Sequence, residues 1–346
     1  MSIHVLQLGP YPPPEGGITR NMLAIRERLR ERGDRCSIVA TSKSTQVEDE
    51  PEVNHPRSAA ELISLIRKVD HDILHLHVGG DITRRVLSLM VAAATLGKRP
   101  VLSFHSGGYP QTPDAQRAKP NSTRRRIFRR FSRIVAVNEE LADVFRRYGV
   151  ADEKIVVIAP FSLTPPDPDV VLRHELLTFA ESHSPLLVSV GGMEPDYEPL
   201  FLIGAMAAVL DIYSHAGLVI IGGGSMRGEA EAAAASAGYA NAICLAGDVP
   251  HDETLQLIAR ADAMLRITLF DGDAISVREA LFVGTPVIAT NNGMRPAGVR
   301  LTTRDDSDEL LRNIREVLAQ PVTRPKLLTA DNSNIDKVLA LYDELF

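Results

Sequence analysis

The chain has 346 residues, of which 45% are hydrophobic, and a formal net charge of −6. This length suits two domains, each with its own apolar core. The two cysteines, Cys36 and Cys244, lie far apart in apolar runs, which favours reduced thiols in the cytoplasm over a disulfide framework. No signal-peptide pattern opens the sequence, and its most apolar helical stretch, Val86–Leu96, is far shorter than the roughly 20 residues of a membrane span. We expect a cytoplasmic protein, with the inner face of the membrane as a second location.

Charge is divided unevenly along the chain. Residues 1–165 hold 25 Lys+Arg against 18 Asp+Glu, and residues 166–346 hold 13 against 26, so charges of +7 and −13 sum to −6. A basic first half is therefore joined to an acidic second half. We expect no nucleic-acid partner, because only 5% of the residues are aromatic and no base-reading motif is present.

Much of the basic excess lies in residues 117–133, where Ile127, Phe128 and Phe131 interrupt the arginines at helical spacing. Two interpretations are open. Residues Arg124–Arg133 contact an anionic membrane surface or a phosphorylated acceptor, or they form a solvated helix face whose three apolar residues belong to the core.

In chain order, the first half alternates strand-like and helix-like segments. Buried parallel strands are predicted at 3–9, 37–40, 72–78, 101–105, 133–138 and 154–159, with helices at 21–32, 59–69, 84–96 and 140–148. The second half repeats the pattern, with strands at 186–192, 217–224, 242–247, 262–267 and 286–290. A proline-rich hinge, Ser162–Asp169, separates the two halves.

This alternation predicts an α/β fold of two doubly wound, Rossmann-like domains that face each other across a cleft. The expected domains are residues 1–165 and 166–330, followed by a C-terminal helix within 331–346 that packs back on the first domain. Ligands of such sheets bind beyond the carboxyl ends of the strands, so the loops after the strands are where a site is expected.

The first such loop contains Gly16 and Gly17 just before a predicted helix. Their unhindered backbone donors and the helix dipole suit an anion, although a tight turn explains a glycine pair equally well.

Three histidines follow in the same half. His75 and His77 share one face of a strand, and we expect them to line the core or the cleft rather than to bind a metal. His105 ends a strand before two glycines and is expected to meet a ligand, as a hydrogen-bond donor or as a proton carrier.

In the second half, Gly222, Gly224 and Gly228 resemble a dinucleotide-binding turn, but their spacing is one residue too long. Glycines that allow a helix to pack closely on the sheet explain them as well. A nicotinamide-dependent oxidoreductase is therefore a weaker hypothesis, and no catalytic Tyr-Lys pair accompanies it.

The segment Asp271–Thr290 is the most informative of the chain. Two carboxylates, Asp271 and Glu279, flank seven residues, with Glu279 inside a predicted helix. Backbone donors around Ala274 to Val277 are expected to be unpaired at the first helical turn and so to form an anion site. Phosphate and sugar hydroxyls suit this arrangement.

Over residues 1–320 the chain resembles the family 4 glycosyltransferases, which have two Rossmann-like domains of the GT-B type. The motifs that carry the resemblance are GPYPPPEGGI, DILHLHVGG, SFHSGG, VAVNEEL, SVGGMEPDYEP, IIGGGSMRGE, LAGDVPHDETLQLIARADA and above all DGDAISVREALFVGTPVIAT. The resemblance implies transfer of a sugar from a nucleotide-diphosphate sugar to an acceptor hydroxyl, with retention at the anomeric carbon. Neither a metal nor a cofactor is implied. Bacterial polysaccharide or glycolipid assembly is the implied setting, with a saccharide or lipid-linked acceptor.

The resemblance also implies roles for individual residues. Glu279 would bind the ribose of the nucleotide, and Asp271 would touch hydroxyls of the donor sugar. The diphosphate would be held by Gly16, Gly17 and the backbone near Ser276. His105 would contact the donor sugar near the reacting centre.

The chain departs from the family pattern in its charges. The motif begins with Asp271 where the family usually has Glu, and Gly192 and Tyr197 stand near the places of the usual Arg and Lys. We expect Arg266 and Arg278 to supply the missing positive charge, because an uncompensated diphosphate would be costly to bury. The alternatives are that one of these arginines forms a structural ion pair, or that the chain is a degenerate, non-catalytic relative that binds a sugar nucleotide or a partner enzyme.

Overall fold

The computed structural model describes residues 2–11, 16–42, 50–269, 274–293 and 295–346. Asp271, to which the sequence assigns a contact with the donor sugar, lies outside these residues. The chain divides into two compact units. The first comprises Met1–Ser162 and Asp331–Phe346, and the second comprises Leu163–Ala330.

The described part of the first unit contains a seven-stranded sheet in which all neighbouring strands are parallel. Its strands are β1 (His4–Gly9), β2 (Arg35–Ala40), β3 (Val53–Asn54), β4 (Ile73–Val78), β5 (Val101–Phe104), β6 (Arg133–Ala136) and β7 (Ile155–Val157). Their order in the sheet is β3-β2-β1-β4-β5-β6-β7. The order reverses between β1 and β4, and the crevice at such a switch point is where doubly wound sheets bind ligands.

Helices connect these strands. They are α1 (Gly17–Arg32), α2 (Ala59–Lys68), α3 (Arg84–Leu96), α4 (Pro113–Gln116), α5 (Thr123–Phe128) and α6 (Glu139–Arg147), with short 3₁₀ turns at Tyr109–Gln111 and Asp152–Lys154. Local sequence fixes their starts, since the side chains of Ser58, Thr83 and Asn138 accept hydrogen bonds from backbone N–H groups in the first turns of α2, α3 and α6. Gly33 ends α1 in the left-handed conformation with φ 84°.

The second unit repeats the architecture. Its described strands are β8 (Leu186–Val190), β9 (Gly217–Ile221), β10 (Ile243–Gly247), β11 (Ala263–Arg266), β12 (Val287–Thr290) and β13 (Val299–Thr302). Its helices are α7 (His174–Ser182), α8 (Pro199–Leu210), α9 (Arg227–Ser236), α10 (His251–Arg260), α11 (Ile275–Phe282) and α12 (Ser307–Leu318), with 3₁₀ turns at Pro195–Tyr197 and Ala240–Ala242. The parallel sheet has the order β10-β9-β8-β11-β12-β13, so its switch point lies between β8 and β11.

The C-terminal helix α13 (Ser333–Leu345) belongs to the first unit. Its residues Ile335, Leu339 and Tyr342 are buried with Val5 and Cys36 in one apolar cluster on the sheet. The opposite face of that sheet is covered by a second cluster that includes α3, α5 and α6. A segment distant in sequence therefore completes one layer of the first unit.

Two parallel sheets flanked by helices confirm the predicted α/β class. Two strands were not predicted from the sequence. The two-residue β3 is too short to form a periodic pattern, and β13 is an edge strand whose Arg300 and Leu301 are exposed.

The predicted helical spacing through residues 117–133 is only partly realised. The structure forms α5 over Thr123–Phe128, and both Phe128 and Phe131 are fully buried, while Ile127 packs against the same core cluster. The three apolar residues are therefore core, as one of the two interpretations held.

Candidate functional site

In the second unit, side chains and loops converge at the carboxyl ends of β8 and β11. Arg266 is the last residue of β11 and is only 7% exposed. Its Nη1 donates to the backbone carbonyl of Val190, the last residue of β8, and its guanidinium carbon lies 4.7 Å from the centre of the Tyr197 ring. This cation–π contact places Arg266 beside the loop that carries Gly192 and Tyr197.

Gly191 is required for this packing. A Cβ at this position would lie 2.7 Å from Nη1 of Arg266 and 2.7 Å from Cδ1 of Tyr197. A Cβ on Gly192 would meet no atom of the described residues closer than 3.5 Å. The absence of a side chain at Gly191 therefore allows Arg266 and Tyr197 to approach the backbone after β8.

The glycine-rich segment after β9 packs against the same loop. Met193 donates its backbone N–H to the carbonyl of Gly223 at 2.8 Å, and a Cβ on Gly224 would lie 2.3 Å from the carbonyl oxygen of Met193. Close approach of two loops therefore accounts for the glycine at Gly224, rather than the close packing of a helix on the sheet that the sequence indicated.

Glu279 lies in α11 and is only 5% exposed. Its Oε1 accepts a hydrogen bond from Nε2 of His251 at 2.6 Å, and His251 is the first residue of α10. The contact fixes the orientation of a buried carboxylate close to the first turn of α11. His251 was not identified from the sequence, since 28 residues separate the two partners.

The first turn of α11 contains the other residues of the motif. Ser276 and Arg278 are both half-buried, and Ala274 is the residue that precedes the helix. The N–H of Val277 donates to the carbonyl of Ala274 at 3.2 Å. The expectation that the donors from Ala274 to Val277 are unpaired is therefore wrong for Val277, whose N–H closes the first helical turn.

Arg295 is a third cation at this edge of the sheet. Its Nε donates to the carbonyl of Thr290, the last residue of β12, at 3.0 Å, and its Nη2 lies 3.2 Å from Oγ1 of Thr268, just after β11. Thr290 and Thr268 are in turn joined by hydrogen bonds of 2.8 and 3.1 Å. Arg295 was not predicted from the sequence, because it lies after the segment Asp271–Thr290 and outside any motif that was singled out.

In the first unit, Gly16 and Gly17 stand at the start of α1, at the carboxyl end of β1. Gly16 has an extended backbone that any residue adopts, and a Cβ there would meet no atom of the described residues within 4 Å. Gly16 itself therefore does not adopt the left-handed conformation for which turns favour glycine. A glycine that is not needed for local packing leaves room for a ligand near the backbone.

The three histidines form one cluster on the sheet of the first unit. His75 and His77 lie within β4, and their ring centres are 3.9 Å apart. His105 follows β5 directly, its backbone N–H donates to the carbonyl of Val78 at 2.7 Å, and its Nε2 lies 3.1 Å from Nδ1 of His77. His75 is held by the hydroxyl of Tyr342 at Nδ1, at 2.5 Å, and by Oγ of Ser103 at Nε2, at 2.7 Å.

Burial keeps all three rings neutral at ordinary pH. Desolvation lowers the pKa of His75 to about 3 and that of His105 to about 4, and it lowers the pKa of His77 well below its ordinary value. In the described part of the chain, no group of three or more His, Cys, Asp or Glu side chains is arranged to hold a metal ion. His75 and His77 are 0% and 1% exposed, so their rings line the core of the first unit.

The basic segment around α5 combines buried and exposed arginines. Arg124 is partly buried, with Nη1 within 3.2 Å of the hydroxyls of Tyr109 and Tyr148 and Nη2 2.7 Å from Asp114. The exposed arginines of the segment are Arg117, Arg126, Arg129 and Arg130. None of the helices among the described residues is both long and apolar enough to cross a bilayer.

Comparison with known proteins agrees with these features. The family model for Glycosyltransferase Family 4 matches residues 15–161, and the model for Glycosyl transferases group 1 matches residues 178–329. A 2-deoxystreptamine glucosyltransferase from Streptomyces kanamyceticus is 23% identical over 280 residues, which are 75% of this chain and 72% of that protein.

Several solved structures are similar along nearly the whole chain, and two of them illustrate the match. Anabaena HepE in complex with UDP-glucose has a TM-score of 0.70 at 15% identity, and the match covers 99% of this chain and 100% of that one. Sucrose-phosphate synthase from Thermosynechococcus elongatus has a TM-score of 0.70 at 14% identity, with 99% of both chains covered. The chain has the two-domain α/β fold of the GT-B type.

Proposed function

This chain belongs to the family 4 glycosyltransferases, and we propose that it transfers a sugar from a nucleotide-diphosphate sugar to an acceptor hydroxyl with retention at the anomeric carbon. One observation carries the proposal most directly. Glu279 is buried at the carboxyl edge of the second sheet and held by His251, and Arg266 stands at the switch point of the same sheet. A carboxylate for hydroxyl groups and a cation for phosphate are the two chemistries that a nucleotide-diphosphate sugar requires.

The chemistry needs positive charge near the leaving group. When the bond between the anomeric carbon and the diphosphate oxygen breaks, an oxocarbenium-like sugar forms and negative charge develops on the departing nucleoside diphosphate, so preorganised cations and backbone donors lower the barrier. In this proposal Arg266 and Arg278 supply the charge that Gly192 and Tyr197 do not. The cation–π contact with Tyr197 supports the assignment, because it holds Arg266 beside the loop where the usual cations are missing.

The remaining roles follow the family resemblance. Glu279 binds the ribose, and the backbone of Ser276 together with Gly16 and Gly17 holds the diphosphate. His105 contacts the donor sugar near the reacting carbon, and Asp271 binds donor-sugar hydroxyls. No metal takes part in this mechanism, since the arginines and backbone donors take over the neutralisation of the diphosphate.

The donor and the setting are proposed from the relatives. A glucosyltransferase and a protein bound to UDP-glucose make UDP-glucose the first donor to test. We place the reaction in bacterial polysaccharide or glycolipid assembly, at the inner face of the cytoplasmic membrane, with a saccharide or lipid-linked acceptor. The exposed arginines of the segment Arg124–Arg133 are the candidate membrane contact.

A thermal-shift screen of nucleotide sugars tests the proposal. A true donor binds only the native state and must raise the apparent melting temperature, by an amount that grows with ligand concentration. Donors that bind are then incubated with candidate acceptors, and the anomeric configuration of the product is read by NMR. Inversion at the anomeric carbon would refute retention, and no stabilisation by any nucleotide sugar would refute the proposed donor class.

A non-catalytic sugar-nucleotide-binding protein is the second candidate function. The replacement of the usual cations by Gly192 and Tyr197 favours it. Stabilisation by a donor without its hydrolysis or transfer, at any enzyme concentration, would select this function over catalysis.

A further inference from the structure

The geometry points to His77 as a positioning residue that holds His105 in a single tautomer, with the ring proton on Nδ1 of His105. Only one part of the inference, the contact between His105 and the donor sugar, rests on the proposed function. Its structural part concerns hydrogen bonds within the first unit.

Hydrogen-bond accounting at His77 leads to this assignment. Nδ1 of His77 lies 3.1 Å from Nε2 of His105, so one of these two nitrogens must donate and the other accept. Nε2 of His77 is fully buried and has no hydrogen-bond partner among the described residues. A proton on that Nε2 would be a buried donor without an acceptor, which is rarer and costlier than a buried lone pair. The proton of His77 therefore resides on Nδ1, which donates to Nε2 of His105.

The neighbouring ring limits how His77 can turn. The ring of His75 lies against that of His77 with centres 3.9 Å apart, and His75 is itself held on both sides by Tyr342 and Ser103. Tyr342 comes from α13 and Ser103 from β5, so two different elements fix the His75 ring. A ring that is packed against a fixed neighbour keeps its orientation, and the contact with His105 is maintained.

The consequence for His105 is a defined chemistry. Because its Nε2 accepts from His77 and its ring is neutral, its single proton lies on Nδ1. His105 can then donate a hydrogen bond from Nδ1 to a sugar oxygen. Protonation of the ring would break the contact with His77, because both nitrogens of an imidazolium are donors. Of the two roles predicted for His105, hydrogen-bond donor and proton carrier, the tautomer selects the donor.

Multiple-bond ¹H–¹⁵N correlation NMR of the full chain with ¹⁵N-labelled histidine measures the tautomer directly. In the wild-type protein, without any ligand, we expect the pattern of a neutral ring protonated at Nδ1 for His105, assigned by its loss in His105→Asn. Protonation of His105 at Nε2 in the wild-type protein would overturn the inference. This result does not depend on a variant that folds.

Two substitutions at His77 separate positioning from packing. His77→Leu removes the donor, and we expect His105 to populate the Nε2-protonated tautomer and kcat for sugar transfer to fall by roughly 10- to 100-fold, with a much smaller change in KM. His77→Asn keeps an amide donor near the place of Nδ1, and we expect it to retain the wild-type tautomer and most of the turnover. A wild-type His105 spectrum or wild-type kcat in His77→Leu would refute the role of His77.

Ser37→Ala is the matched control, because it removes a buried hydroxyl that is hydrogen-bonded to another histidine of the same sheet, His4, and leaves the contacts of His75, His77 and His105 in place. We expect an unchanged His105 tautomer in this variant. If the wild-type protein transfers no sugar from any donor, the proposed function fails, whereas the tautomer measurement still decides the structural inference.

Discussion

At the scale of single residues, Glu279 is a buried carboxylate with one oxygen engaged by His251. A hydrogen bond to an ionised carboxylate is about twice as strong as one to a neutral amide. We expect Glu279→Gln to weaken binding of the nucleoside diphosphate by roughly tenfold, which isothermal titration calorimetry measures. Glu229→Gln, an exposed position on α9, should leave the affinity unchanged. Equal affinities for the wild type and Glu279→Gln would exclude the ribose contact.

The arginine hypothesis concerns two single side chains of the second unit. We expect Arg266→Ala and Arg278→Ala each to lower donor affinity by roughly tenfold or more, since a charge-assisted hydrogen bond to phosphate contributes about 1.5–3 kcal/mol. Affinity is measured by calorimetry, and turnover by release of nucleoside diphosphate. Arg312→Ala provides an exposed arginine of the same unit as the control. Unchanged affinity and turnover in both variants would contradict the hypothesis.

The histidine cluster makes stability depend on pH. Burial lowers the pKa of His75 to about 3 and that of His105 to about 4, from 6.5, so the unfolded chain binds more protons than the native state between pH 6.5 and about 4. The free energy of unfolding is therefore highest above pH 6.5 and falls as pH decreases through this range. At pH 5 each of these rings should reduce it by about 2 kcal/mol relative to pH 7.

Thermal melts followed by circular dichroism from pH 7 to pH 5 measure this effect. His75→Gln removes one titrating ring and retains an amide near the place of Nε2, close to Ser103. We expect a shallower pH dependence for this variant than for the wild type. If the melting temperatures of the two proteins changed equally with pH, His75 would not contribute to the pH dependence of stability.

The site also illustrates which residues a sequence can identify. A contiguous motif predicts that Ser276 and Glu279 lie on one helix, and both are found in α11. The contacts between His251 and Glu279 and between Arg295 and Thr268 span 28 and 27 residues of intervening chain, so the motif does not predict them. Such pairs depend on which strands become neighbours, and no local pattern encodes them.

At the scale of elements, the segment around α5 has a buried apolar side and an exposed basic side, although apolar and basic residues alternate in its sequence. Phe128 and Phe131 are buried, so they are not available for insertion into a bilayer, whereas Arg126, Arg129 and Arg130 are exposed. Any attraction to a membrane from this segment must then be electrostatic.

We expect the protein to bind vesicles that contain phosphatidylserine at low salt and to dissociate as the salt concentration rises, because counterions screen the attraction. Replacement of Arg126, Arg129 and Arg130 by Gln should reduce binding by roughly 100-fold, at about 1 kcal/mol for each charge. Co-sedimentation measures the bound fraction, with neutral phosphatidylcholine vesicles as the control. If binding were absent or independent of salt, the exposed arginines of Arg124–Arg133 would be interpreted only as a solvated face.

Element prediction succeeded where the local pattern was strong. The helix predicted at 84–96 coincides with α3, because a capping threonine precedes its apolar face. The predicted helix 21–32 missed the first turn of α1, where Gly17, Ile18 and Thr19 carry little helical signal. The apolar spacing of residues 117–133 predicts a single helix, but the observed helix α5 ends at Phe128. Phe131 lies beyond α5 and is nevertheless buried, so its burial comes from tertiary packing and not from a helical face.

At the scale of the whole molecule, alternation of strands and helices was enough to predict two α/β sheets. The sequence also suggested that the last residues return to the first half, and α13 lies in the first unit with Tyr342 buried against its sheet. The hydrogen bond between Tyr342 and His75 spans 267 residues, and no local pattern could identify it.

Removal of α13 should expose the core layer that it covers. Cys36 is fully buried in the cluster that contains Ile335 and Tyr342, and burial raises the pKa of its thiol to about 11. We expect deletion of residues 331–346 to increase the labelling rate of Cys36 by a thiol reagent by roughly 100-fold or more.

A Cys244→Ser background isolates the Cys36 signal, and labelling is followed by mass spectrometry. The full-length chain in the same background is the control, in which Cys36 should react slowly. An equal labelling rate with and without residues 331–346 would show that α13 does not protect this layer.

The position of α13 also sets an order of events during synthesis. A ribosome releases the strands of the first unit early, but the helix that completes that unit emerges only after all of Leu163–Ala330 has been made. The second unit is contiguous in the chain and can fold as soon as it is released. Until α13 is released, the apolar surface around Cys36 is uncovered and can aggregate. The nascent chain, rather than the finished protein, is therefore the state whose apolar surface is most accessible to chaperones.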